Sequence, residues 1–273
     1  MDKVDNLIKH TQSILDCDNR SDNYGPIYFH SNEYLNEIFN EVDICGKDVL
    51  TVVGSGDQAL YMYDRGVKNV DLFDKNKLTL YYYYLRVWTI KYLNKFYPEY
   101  DSKNKFLKKL LKFVKPSTEE EKIAFLYWKK FSWYFDKYDE DDFEELFILG
   151  NDPRRNELND LYRIKPRIEQ ENYNFKNVDI TSNGLDFGKK YDLIYTSNIS
   201  DRIHSKEQMR IYKKNLLSHL NENGLIVCAD VIRDKRTRLE ECVFDVDMEM
   251  RKISDCPYRI EHRSPGHIYI RRK

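Results

Sequence analysis

Asp48-Val49-Leu50-Thr51-Val52-Val53-Gly54-Ser55-Gly56-Asp57-Gln58-Ala59-Leu60-Tyr61-Met62-Tyr63, running on through Arg65-Gly66 to Asn69-Val70-Asp71-Leu72-Phe73-Asp74, decides the fold. The run from Val49 to Val53 is uncharged and mostly β-branched, the pattern of a strand buried on both faces of a parallel sheet. It breaks at Gly54-Ser55-Gly56-Asp57. Helix-forming residues follow from Gln58, and Gly66 supplies a left-handed cap at the helix end. A second strand then runs from Asn69 to Phe73 and stops at Asp74. Strand, glycine loop, helix and strand make one βαβ unit with an expected right-handed crossover.

Downstream the alternation resumes. Asn177-Val178-Asp179-Ile180 reads as a third strand and Tyr191 to Ser197 as a fourth. Lys206 to Leu220 follows as an amphipathic helix, with Met209, Tyr212, Leu216, Leu217 and Leu220 near helical spacing. Asn221 to Gly224 reads as a turn and Leu225 to Asp230 as a fifth strand. A helix from Thr237 to Lys252 and a hairpin of Tyr258 to Arg263 with His267 to Arg271, turning at Ser264-Pro265-Gly266, complete the pattern. The expected fold is an α/β Rossmann-like three-layer sandwich with an antiparallel pair at its end.

The stretch between the second and third strands far exceeds a crossover, so residues 77–172 are expected to form a helical insert. Its pieces are Lys77 to Leu93, Lys103 to Lys115, a helix opened by a capping box of Ser117 and Glu120, and Asp141 to Leu149. Residues 1–45 are expected to form a separate helical segment, and residues 46–273 the main domain that the insert interrupts.

The 273 residues carry 45 Lys plus Arg against 46 Asp plus Glu, a net charge of -1, so no global field attracts nucleic acid. Aromatic residues make up 14%, with 22 Tyr, dense enough to offset chain entropy despite the high charge. Cys17, Cys45, Cys228, Cys242 and Cys256 form no Cys-x-x-Cys pair, which argues against a zinc site or a disulfide framework. His204, His219, His262 and His267 lack metal-ligand spacing, and no metal is expected. No stretch reaches the length of a membrane helix, and Met1 to Asn19 lacks a signal-peptide core. A cytoplasmic location is the expectation.

Gly54-Ser55-Gly56 lacks the third glycine of a dinucleotide fingerprint. Asp74 nevertheless stands at the end of the second strand, where an acid can accept both hydroxyl hydrogens of a ribose. Bonds of that kind contribute about 1.5–3 kcal/mol each. Asp179, beside Ile180, similarly ends the third expected strand and could meet an adenine edge and face.

On these residues, together with Tyr191-Asp192-Leu193-Ile194 and Asn223-Gly224-Leu225-Ile226-Val227, the chain resembles the class I S-adenosylmethionine (SAM) dependent methyltransferases. The resemblance implies SAM as cofactor. Gly54, Ser55 and Gly56 would approach its methionine part, Asp74 would hold the ribose and Asp179 the adenine amino group, with Asp57, Lys75 and Ile180 as further cofactor-binding candidates. Gly54 to Leu60, the insert after Asp74 and Thr196-Ser197-Asn198-Ile199-Ser200-Asp201 are similar to a narrower group, the 3-amino-3-carboxypropyl transferases of betaine-lipid synthesis. That group implies a lipid-like acceptor.

Ser197 is a further candidate at the cofactor edge. Asn198 and Asp201 are the candidate catalytic residues, able to orient or deprotonate an acceptor, although a helix cap is as natural there. Tyr24, Tyr28 and His30 are candidate lid residues that could face a sulfonium by cation-π attraction. The Lys103 to Lys115 run reads as a solvated helix face or as a peripheral contact for phosphate or lipid headgroups. The leading expectation is a methyltransferase for a small-molecule or lipid-like acceptor. Aminocarboxypropyl transfer, an NAD-type binder and a non-catalytic SAM-binding protein are its rivals.

Overall fold

The computed structural model describes residues 3–15, 35–92, 103–132, 161–170, 174–203, 205–230, 249–252 and 267–272. In chain order the elements are α1 (Lys3–Leu15), α2 (Leu35–Glu41), β1 (Asp48–Val52), α3 (Asp57–Asp64), β2 (Asn69–Asp74), α4 (Lys77–Lys91), α5 (Lys103–Leu111), α6 (Glu119–Phe131), α7 (Leu161–Gln170), β3 (Phe175–Asn177), β4 (Tyr191–Tyr195), a 3-10 turn (Ile199–Arg202), α8 (Lys206–Ser218), β5 (Leu220–Asp230), β6 (Glu249–Lys252) and β7 (His267–Arg272). The lid candidates Tyr24, Tyr28 and His30, the helix expected at 141–149 and the strand expected at 258–263 lie outside the described residues. The fold separates into two compact units, one of residues 1–30, 54–56 and 76–170, the other of residues 31–53, 57–75 and 171–273.

The second unit holds the sheet, ordered β3-β2-β1-β4-β5-β7-β6. The pairs among β1 to β5 are all parallel, and β7 lies antiparallel between β5 and β6. Strand alternation sends Leu50, Val52, Phe73, Ile194, Ile226 and Cys228 to one face, where they pack with Met209, Tyr212 and Leu216 of α8. Tyr195 points to the other face, its ring edge-on to Phe39 of α2 at 5.4 Å. Both faces are covered, as a parallel sheet requires. Beneath them Tyr191 donates its hydroxyl to the buried Asp71 carboxylate at 2.8 Å, and Lys189 meets the same oxygen at 3.0 Å.

Three boundaries differ from the sequence expectation. The third strand is Phe175–Asn177, because Asp179 Oδ1 accepts from the Thr181 amide at 2.9 Å and turns the chain. The fifth strand begins at Leu220: Tyr191 pairs with Leu220 and Leu193 with Leu225, so the expected turn is an outward step inside β5, with Asn223 at φ 62°. Glu249–Lys252, expected to end a helix, is strand β6, because its backbone pairs with β7.

The first unit is helical. Helix α4 is buried all round, and Tyr81, Tyr82 and Tyr83 are each 0% exposed. Such a helix is a core element rather than an amphipathic cover. Tyr127 stacks on Phe131 at 5.5 Å, and the Trp128 indole N–H donates to the Tyr81 carbonyl at 2.8 Å. Burial, followed by the Glu120 carboxylate that accepts its hydroxyl at 2.9 Å, pushes the Tyr81 phenol far above its ordinary range. The capping box sits one residue later than expected, on Thr118 and Glu121. Ser117 instead donates its hydroxyl to Glu121. Helix α7 was not expected, Pro166 standing in its interior. Lys108, Lys109, Lys112 and Lys115 are exposed.

Candidate cofactor site

In a sheet of order β3-β2-β1-β4-β5 the chain direction of growth reverses between β1 and β4, and ligands of such sheets bind beyond the carboxyl ends near that switch point. β2 delivers Asp74 to this edge as its last residue, 9% exposed, with Lys75 exposed beside it. β3 ends two residues short of Asp179. One oxygen of that carboxylate is occupied by Thr181, which donates both its amide (2.9 Å) and its hydroxyl (2.7 Å). Oδ2 is left as the oxygen that can accept from a ligand. Ile180 packs in the core cluster at 3% exposure, and its carbonyl accepts from Asn215 Nδ2 at 2.8 Å.

β4 ends in a strained turn. Ser197 adopts φ 56°, a left-handed conformation that costs a non-glycine residue about 1–3 kcal/mol. Its carbonyl accepts from the Ala229 amide at 2.9 Å, which ties the turn to β5. Below it Thr196, fully buried, receives the Tyr212 hydroxyl at 2.8 Å and donates to Cys228 Sγ at 3.2 Å. Asn198 stands at the cap position of the 3-10 turn but makes no side-chain cap bond, so capping does not account for it. Asp201 lies in the backbone of that turn.

Sequence reasoning missed Ser200. Its hydroxyl is buried, at 5% residue exposure, and has no hydrogen-bond partner among the described residues. An orphaned buried hydroxyl two residues from Asn198 is a group a ligand or water could satisfy.

Within the other unit the glycine loop has its own supports. Gly54 and Gly56 take φ 53° and 81°, and a Cβ on Gly56 would lie 2.7 Å from Tyr83 Cδ2. Conformation and space both demand glycine there. Arg86 donates Nη1 to the Ser55 carbonyl at 2.9 Å. Asp57, the next residue and part of the sheet unit, opens α3 and is buried.

No protein-family model matches the chain, and no curated protein matches it. Among solved structures, the N-methyltransferase NodS from Bradyrhizobium japonicum WM9 in complex with S-adenosyl-l-homocysteine aligns over 98% of this chain and 98% of its own, at 11% identity and TM-score 0.41. The putative methyltransferase yhhF from Escherichia coli aligns over 89% of this chain and 87% of its own, at 9% identity and TM-score 0.42. A ribosomal protein L11 methylase from Lactobacillus delbrueckii subsp. bulgaricus aligns over 88% and 77%, at 13% identity and TM-score 0.39. The strand order and the antiparallel β7, rather than these likenesses, carry the assignment of fold. The chain has the Rossmann-like class I methyltransferase fold.

Two carboxylates at this edge are of the type that could meet an adenosine. Asp74 and the second oxygen of Asp179 are acceptors, matching the donors of a ribose diol and an adenine amino group. A pyrophosphate would ask for donors instead.

Proposed function

We propose that this chain is a SAM-dependent transferase, a methyltransferase for a small-molecule or lipid-like acceptor. The observation that supports it most is Asp74, an acid at the carboxyl end of β2 beside the switch point, following a two-glycine turn after β1. In this reading Asp74, with Lys75, receives the ribose. Asp179 accepts the adenine amino group beside Ile180. Gly54, Ser55, Gly56 and Asp57 are assigned to the methionine part.

SAM supplies the activated carbon, so the protein's task is to align an acceptor. Asn198, Ser200 and Asp201 follow Ser197 at the end of β4 and are the proposed orienting groups, with Asp201 as the base where the acceptor must lose a proton.

Titration calorimetry with SAM tests this reading. Binding in the micromolar to low millimolar range is expected for the wild type, with at least about a tenfold loss in Asp74→Ala. No binding, or an unaffected Asp74→Ala, overturns it. Mass spectrometry of the by-product then identifies the transferred group: S-adenosylhomocysteine marks methyl transfer, and methylthioadenosine marks aminocarboxypropyl transfer.

A further inference from the structure

We propose that Asn177 is a positioning residue that aims the Asp74 carboxylate, and through it sets how strongly the protein recognises a ribose diol. The inference rests on the adenosine-cofactor reading above.

β3 is three residues long, and Asn177, its last, stands in register with Asp74 at the end of β2. The ladder makes one further rung, the Val178 amide to the Asp74 carbonyl at 3.0 Å. Then the chain turns away through the Asp179 to Thr181 bonds and cannot reach the next carbonyl. The Asn177 side chain completes the pairing. Its Nδ2 donates to the Asp74 carbonyl at 2.9 Å and to the Lys75 carbonyl at 3.0 Å.

Both acceptors are carbonyls, so the amide can face them only with its nitrogen, and its two hydrogens serve one carbonyl each. One planar group thus holds two successive carbonyls and fixes the peptide that joins Asp74 to Lys75. The direction of the Asp74 Cα–Cβ bond follows from that peptide. Asn177 is itself exposed, on an edge strand and outside the core cluster, so these bonds rather than packing account for an amide at this position.

The test compares S-adenosylhomocysteine with its 2′,3′-dideoxy analogue by calorimetry, in wild type, Asn177→Leu and Asn177→Ser. Wild type is expected to favour the ribose form by at least about tenfold, the worth of a single hydrogen bond to a carboxylate. In Asn177→Leu the affinity for S-adenosylhomocysteine should fall by about tenfold while that for the dideoxy analogue stays within about twofold, so that the preference collapses. Asn177→Ser, which keeps one donor, should lie between. An equal loss for both ligands, or a preference left intact in Asn177→Leu, overturns the positioning role while leaving the cofactor reading in place. Failure of the wild type to bind either ligand overturns both.

Discussion

The hydroxyl of Tyr212 donates to Thr196 Oγ1 at 2.8 Å, and Thr196 passes its own hydrogen to Cys228 Sγ at 3.2 Å, one residue before the strained Ser197. α8, β4 and β5 are joined at this point under the site edge. Tyr212→Phe keeps the ring packing and leaves the Thr196 hydroxyl with one bond fewer in a fully buried place. A loss of about 1–2 kcal/mol is expected, seen as a melting temperature lower by a few degrees. An unchanged melting curve argues against the network.

Ser197 holds φ 56° while its carbonyl accepts from the Ala229 amide, a backbone bond that glycine would keep. Replacement by glycine removes the penalty of a Cβ in the left-handed region, and Ser197→Gly should stabilise the protein by about 1 kcal/mol in urea unfolding. Ser197→Val, with a branched Cβ, should destabilise it by at least as much. If Ser197 serves the cofactor edge, the glycine variant gains stability and loses affinity for SAM.

Gly56→Ala meets two obstacles, φ 81° and a contact of 2.7 Å with the Tyr83 ring. About 1–3 kcal/mol of destabilisation is expected. Adding Tyr83→Leu to Gly56→Ala tests the split. A double variant that recovers part of the loss, relative to Tyr83→Leu alone, assigns that part to the ring and the remainder to the backbone.

Burial, followed by the neighbouring Asp71 carboxylate, raises the Tyr191 phenol above its ordinary range. An unfolded tyrosine ionises near about pH 10 while the folded one stays protonated. Its stabilising contribution is therefore whole below about pH 10 and drains away as the pH rises toward the folded value. Tyr191→Phe should cost about 1–2 kcal/mol at neutral pH, through the lost bond to Asp71, and should show a shallower decline in stability above about pH 10. Urea unfolding at several alkaline pH values checks both parts.

The β1, glycine-loop and β2 segment was legible because local signals agreed there: a charge-free β-branched run, a break at glycine and a second run closed by an acid. Legibility failed where one side-chain bond outweighed pattern. Val178 and Ile180 suggested a strand, but the Asp179 carboxylate turns the chain between them. Ser117 and Thr118 offered equivalent caps, and the reach of Glu121 back to the Thr118 amide selected the second. Glu249–Lys252 carried a helix-like continuation, and only pairing with a strand late in the sequence makes it β6. Asn177 and Ser200 could not be read in advance, since what distinguishes them is a pair of carbonyls in one case and a missing partner in the other.

The outward step in β5 has a practical meaning. Between Tyr191 and Leu193 the neighbouring strand advances two residues, while β5 advances from Leu220 to Leu225, and the surplus is taken up around the exposed Glu222 and Asn223. From Leu225 onward the pairing to β4 and β7 proceeds rung by rung. Chain length and register are uncoupled at that point, so a short peptide tag spliced between Glu222 and Asn223 has a site in mid-sheet where it can be carried without shifting either neighbouring strand.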